Sequence, residues 1–272
     1  MAGHWTGNFS FVTSSVRRKN FVYIVLGDDQ LNEKKIPHSG FVVWDAGKWG
    51  DAGRMKGYTA GVAVVQKPKI QMCAVEVYGA TLLLGSGDRH EEQIHAGDEV
   101  PKNRGPLRGV RYIGDHVYVV GMGRQAWRRE GENVWTLIDQ GARPAPGSTD
   151  VVGFEAVDGF SESEIYAVGW DGEIWTYDGK VWSQIQSPTK LVLTGLCCAG
   201  DGKAYATGRK GLLVRGRNGA WEVVDHQSLT EDIWGSAWYE GKLYVSTMND
   251  VYTLENGAFK PVDWGADAPK TC

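Results

Sequence analysis

The chain has 272 residues, a formal charge of −4, 37 glycines, 12 tryptophans and only 9 prolines. So many large apolar side chains can fill a substantial core, which excludes a disordered chain, and the net acidity leaves no electrostatic footprint for nucleic acid. The longest apolar run, Phe21 to Leu26, is strand-sized and far below the ~18 residues of a membrane-spanning helix, so no membrane insertion is expected.

In chain order, the first signals are strands and turns. The segment Trp44-Asp-Ala-Gly-Lys-Trp49 reads as a hairpin. Gly61–Val65, Ile70–Val77 and Thr81–Leu84 read as strands, in a register the sequence does not fix. From there a repeat becomes plain. His116-Val-Tyr-Val-Val-Gly121, Glu164-Ile-Tyr-Ala-Val-Gly169, Lys203-Ala-Tyr-Ala-Thr-Gly208 and Lys242-Leu-Tyr-Val-Ser-Thr247 place tyrosines at intervals of 48, 39 and 39. Their β-branched and aromatic content reads as strand. Each is followed by a turn and an aromatic: Gly131 to Trp135, Asp178-Gly-Lys-Val-Trp182, Asn218-Gly-Ala-Trp221 and Asn256-Gly-Ala-Phe259. Asn-Gly and Asp-Gly supply the positive φ of tight hairpins.

Each unit can be drawn as four short strands. In the fourth they fall near Gly153–Val157, Glu164–Val168, Glu173–Tyr177 and Val181–Ile185. No long apolar period of 3.6 with caps occurs, so little helix is expected. Repeats of ~40–45 residues with four strands each indicate a β-propeller blade. The reading is an all-β, single-domain propeller of about six four-stranded blades, at roughly 5–54, 55–104, 105–150, 151–190, 191–229 and 230–262. The tail Asp263–Cys272 either closes the ring or opens a seventh blade; compare Asp232-Ile-Trp-Gly235.

The Ile-Tyr-Ala-Val-Gly strands and the Asp178-Gly-Lys-Val-Trp182 hairpin resemble those of bacterial β-propellers of the broad WD40, YVTN and BNR type. The resemblance is strongest over 105–262. It departs from true WD40 repeats in lacking their Gly-His and Trp-Asp pair, and Asp171-Gly-Glu-Ile-Trp175 is only a partial Asp-box. It implies architecture rather than activity. A sialidase-like enzyme would be expected to carry an Arg-Ile-Pro segment, which is absent.

Candidate chemical motifs fare poorly. His90-Glu-Glu-Gln-Ile-His95 places its histidines at i, i+5, whereas the zinc motif needs i, i+4 on a helix; a solvated loop is the better reading. Gly121-Met-Gly-Arg-Gln-Ala126 fits a dinucleotide pattern, but the hairpin behind it leaves no room for the helix that would meet the pyrophosphate. Cys73, Cys197, Cys198 and Cys272 form neither a disulfide framework nor a CxxC site. Reduced thiols and an N-terminus without a basic stretch before an apolar one suggest a cytoplasmic protein. No cofactor or metal is implied. The recurring Trp135, Trp182 and Trp221 read as packing between blades, while Trp170, Trp234 and Trp238 fall outside that series.

One constellation remains. The turn after each blade's second strand should project onto one rim. These turns carry Asp28 and Asp29; Asp88, Arg89 and His90; Arg124; Trp170 and Asp171; Arg209 and Lys210; and Asn249 and Asp250. Two longer loops, 28–40 and 89–108, would border them. The expectation is a non-enzymatic propeller that docks another protein on this mixed-charge rim, as a bacterial immunity or inhibitor protein would. A glycan-binding or glycoside-processing propeller using a central cavity is the alternative, and a structural or assembly factor the third.

Overall fold

The computed structural model describes residues 7–265. It contains six four-stranded antiparallel sheets in a propeller arrangement. Blade 1 is β1 (Phe9–Arg18), β2 (Phe21–Asp28), β3 (His38–Asp45) and β4 (Lys48–Lys56). Blade 2 is β5 (Thr59–Val65), β6 (Gln71–Glu76), β7 (Ala80–Gly85) and β8 (Asp88–Gln93). Blade 3 is β9 (Leu107–Ile113), β10 (His116–Gly121), β11 (Gln125–Gly131) and β12 (Val134–Leu137). Blade 4 is β13 (Phe154–Ser161), β14 (Glu164–Gly169), β15 (Ile174–Tyr177) and β16 (Trp182–Ile185). Blade 5 is β17 (Leu193–Cys198), β18 (Ala204–Gly208), β19 (Leu213–Arg217) and β20 (Ala220–Val223). Blade 6 is β21 (Gly235–Tyr239), β22 (Lys242–Ser246), β23 (Val251–Glu255) and β24 (Ala258–Pro261). Residues 266–272, most of the segment read as a closing strand or a further blade, lie outside the described residues.

Contacts gather the chain into two compact units. The first holds the described residues up to Val119 together with Trp127–Leu137; the second holds Val120–Ala126 and the described residues from Ile138 onward. Within each, the cores lie between sheets. In the first unit, Val65, Leu83 and Ile94 pack with Val117, Trp127 and Trp135, and Tyr23, Val25 and Phe41 pack with Val62, Met72 and Leu82. In the second, Tyr166, Val168 and Ile174 meet Leu196, Ala206 and Val214, and blade 5 meets blade 6 through Tyr205, Leu213, Ile233 and Leu243. Alternate residues of one strand therefore feed two different cores, which is why these strands show no clean polar face.

Among the described residues, three two-bonded arginine–glutamate staples tie neighbouring blades. In the first unit, Arg129 of β11 reaches Glu92 of β8 with two bonds, Nε–Oε2 at 2.9 Å and Nη2–Oε1 at 2.6 Å, and the Trp135 indole donates to the same carboxylate at 3.0 Å. In the second unit, Arg124 grips Glu173 with its Nε at 2.7 Å from Oε2 and its Nη2 on Oε1. The Trp175 indole donates to Glu173 at 3.0 Å, and the Arg124 guanidinium lies over the Trp175 ring. Arg217 of β19 holds Glu164 of β14 through two 2.7 Å bonds and lies over Phe160.

Two parts of the sequence reading are corrected. His90–His95, taken as a solvated loop, lies as far as Gln93 in strand β8 (Asp88–Gln93). Its inward residue is Glu92, fully buried against Arg129, so an ion pair replaces the apolar residue that would have revealed a period of two. The long loop 28–40 contains a short helix, α1 (Asp29–Glu33). Asp28 caps it, accepting from the backbone N–H of Gln30 at 3.0 Å and of Leu31 at 3.2 Å.

Candidate functional site

In an antiparallel sheet, the turn between second and third strands emerges at the end from which the chain leaves for the next sheet. The first–second and third–fourth hairpins lie at the opposite end. The second unit collects four such second–third turns, with the connections 138–153, 186–192 and 224–234 beside them. Hydrogen bonds knit turns to connections. Gly123 donates to the Val152 carbonyl at 2.8 Å, Trp170 to Gly153 at 3.1 Å, Arg209 to Val192 at 3.3 Å and Ile233 to Gly208 at 3.1 Å. Side chains continue the chain of contacts. Lys190 pairs with Asp171 at 3.0 Å, Asp232 accepts from the Lys210 N–H at 2.8 Å, and Asn249 donates to Glu231 at 2.8 Å.

The turns are held rigidly. Asp171 and Lys210 occupy equivalent positions with φ of +53° and +58°, each followed by a glycine of positive φ, Gly172 and Gly211. A Cβ on either glycine would lie on a carbonyl oxygen of the adjoining connection, Thr189 or Leu229. In blade 3 the corresponding pair is Gly123 and Arg124, both also of positive φ. In blade 6, buried Thr247 does the anchoring, its hydroxyl accepting from the N–H groups of Asn249 and Asp250. Turn backbones fixed in this way present their exposed side chains at little ordering cost.

The sequence-predicted residues fall into three groups. Arg124, Trp170, Asp171, Arg209, Lys210, Asn249 and Asp250 share this rim of the second unit. Arg124 is largely consumed by its staple, its side chain 18 % exposed beside a Glu173 that is 8 % exposed. Trp170 is half-buried and donates to Glu155 at 2.5 Å. Arg209 and Lys210 are exposed and form no ion pair among the described residues. Asp28 and Asp29 sit at the equivalent turn of blade 1 in the first unit, where Asp28 caps α1 and Asp29 accepts from the Ser10 hydroxyl at 2.7 Å. Asp88, Arg89 and His90 do not belong to a second–third turn at all. They open β8 after the third strand, at the opposite end of their sheet, and His90 contacts the Glu92 carboxylate at 3.1 Å. The second–third turn of blade 2 is Val77-Tyr78-Gly79 instead.

Sequence reasoning missed the rim's apolar anchors. Trp234 is 48 % exposed and Met248 65 % exposed, with Leu191 between the turns of blades 4 and 5. Trp234 carried a signal, because an indole off the repeat register is not needed to pack blades. The rim thus combines exposed aromatic and aliphatic surface with two unpaired cations and several carboxylates, the makeup of a protein-docking surface. Cys73 is buried among apolar groups, which pushes its thiol up to about 12, so it is no nucleophile. Cys197 is buried in the core between blades 5 and 6. Among the described residues no cluster of three His, Cys, Asp or Glu side chains could hold a metal ion. No helix there is long and apolar enough to cross a membrane.

No known family profile matches the chain. It is 46 % identical over 268 residues to the protein named immune protein Tsi7 of Pseudomonas aeruginosa, covering 97 % of this chain and 88 % of that one. Among solved structures, the virginiamycin B lyase of Staphylococcus aureus shares the fold with a TM-score of 0.66 at 11 % identity, over 94 % of this chain and 84 % of the lyase. The WD40 repeats of RRP9 align with a TM-score of 0.60 at 9 % identity, over 94 % and 83 % of the two chains. Both likenesses are of architecture alone.

Proposed function

Since the chain belongs to the family of the immune protein Tsi7, we infer that it is itself an immunity protein, which protects its cell by binding a toxin. The observation that carries this reading is the relative's 46 % identity across 97 % of the chain. It acts without chemistry of its own, as a binder in the cytoplasm, where the toxin would do its damage.

The toxin docks on the rim of the second unit. Trp234 and Met248 supply apolar anchors, and Arg209 and Lys210 supply steering and register. The fixed turn backbones favour this surface, because a rigid scaffold loses little freedom on binding. The test is co-expression with the product of any toxin gene found beside its own. The wild-type chain restores growth and forms a complex measurable by calorimetry. Trp234→Ala weakens that complex by about 2 kcal/mol or more, as for an interfacial tryptophan. Arg209→Glu slows association and flattens its dependence on salt. Wild-type affinity in a variant combining Trp234→Ala with Arg209→Glu would remove the rim from the account.

A further inference from the structure

Along the outer edge of blade 5 runs a groove that meets the rim only at Gln186, Ser187 and Pro188. β20 is the outermost strand of its sheet and pairs on one side only, with β19. The Val224 N–H reaches the Leu213 carbonyl at 2.8 Å. Antiparallel alternation then turns the backbone groups of Trp221 and Val223 outward, with no strand to receive them. A cavity of about 600 Å³ follows this edge, a volume typical of binding clefts. Its floor is the Trp221 indole, which lies over Gly216, its partner in the register, where a Cβ would collide with the ring. Its walls carry Lys203 and an Arg215–Glu222 pair, while Arg217, also lining it, is engaged by Glu164. Arg215 pairs with Glu222 and, with the field of Lys203, holds that carboxyl below its usual range. Glu222 is a solvent-facing partner, 64 % exposed, so an incoming carboxylate can replace it at little cost.

We propose that this groove binds an extended acidic segment of a partner protein, which adds to the sheet as a fifth strand beside β20. Main-chain bonds to the outward groups of Trp221 and Val223 would hold the segment, and carboxylates on alternate residues would meet Arg215 and Lys203. Lys203, together with an Arg215 whose exposed partner can be exchanged, selects acidic over basic segments. The site goes beyond the docking rim and stands without it.

The probe is a fluorescein-labelled octapeptide of four Glu-Val repeats, titrated with the whole protein at low salt and followed by anisotropy. The expected result is saturable binding with slowed amide exchange at Trp221 and Val223. Lys203→Glu combined with Arg215→Glu should weaken it at least about tenfold. Val223→Pro, which removes an outward N–H and no ladder bond, should do the same. Trp234→Ala on the rim should leave peptide binding unchanged. No saturation up to about 1 mM, equal binding of a Lys-Val peptide, or full binding by the charge-reversed variant with unaltered melting would overturn the proposal. Loss of peptide binding with toxin binding intact would separate this site's failure from the rim's.

Discussion

Replacing Glu92 with alanine should be among the most damaging single changes in the first unit. Glu92 is fully buried and Arg129 is 8 % exposed, so their attraction acts with little screening by water. Alanine leaves the guanidinium buried without its counter-charge, a loss of about 3–5 kcal/mol. The Trp135 indole also loses its acceptor, which adds about 1–3 kcal/mol. Together these approach the whole stability of an ordinary domain. The stronger prediction concerns the double variant Glu92→Leu with Arg129→Met. Apolar replacements of similar volume remove both charges at once, so most of the loss should be recovered, in marked non-additivity. Urea unfolding followed by tryptophan fluorescence and circular dichroism measures both, with coincident transitions required before free energies are compared. A cost for Glu92→Ala below about 1 kcal/mol, or a double variant as unstable as the two single changes summed, would refute the view that the triad is a desolvated unit.

The pH dependence of the same group follows. Burial works to raise the Glu92 carboxyl, but Arg129, the Asn133 N–H and the Trp135 indole outweigh it and hold it below its ordinary 4.5. A carboxyl lowered in the folded state stabilises fully above that ordinary value and loses its contribution as pH falls through the lowered one. The gap in stability between wild type and Glu92→Gln should thus be constant near neutrality and shrink below about pH 5; a gap that widens in acid would reverse the assignment. On the rim, Arg124→Glu should lower the melting temperature by breaking the Glu173 staple, whereas Arg209→Glu should leave melting unchanged and alter only toxin binding. Gly211→Ala should cost about 2–4 kcal/mol, since positive φ and collision with the Leu229 carbonyl add. Gly257→Ala, with open space around its Cβ, should cost only about 1–2 kcal/mol. Equal costs in thermal unfolding would show that the connection does not press on the turn.

The repeats were legible because blades 3 to 6 use the same physical devices in the same order. Tyr118, Tyr166 and Tyr205 of the second strands are buried, and Asn218-Gly219 and Asn256-Gly257 adopt the paired positive φ of tight hairpins. Trp135 and Trp182 are buried, and Trp221 packs edge-on against Tyr166 of the preceding blade. The fourth strand of blade 2 was hidden by an ion pair buried where an apolar residue was expected, and its misreading moved Asp88, Arg89 and His90 to the wrong end of the sheet. The cap formed by Asp28 was readable in principle, but five residues are too few to show helical periodicity. The staples join residues as far apart as Arg217 and Glu164, and nothing local announces such pairs. For the same reason the sequence showed Arg124 as a rim cation without its partner Glu173.

Hydrogen–deuterium exchange of the protein with and without its toxin tests the central claim most directly. Protection concentrated at the Arg209–Lys210 turn, around Trp234 and at Met248 is the predicted result. Protection confined to the opposite hairpins, among them the one that opens β8 at Asp88, with those three places unchanged, would contradict it.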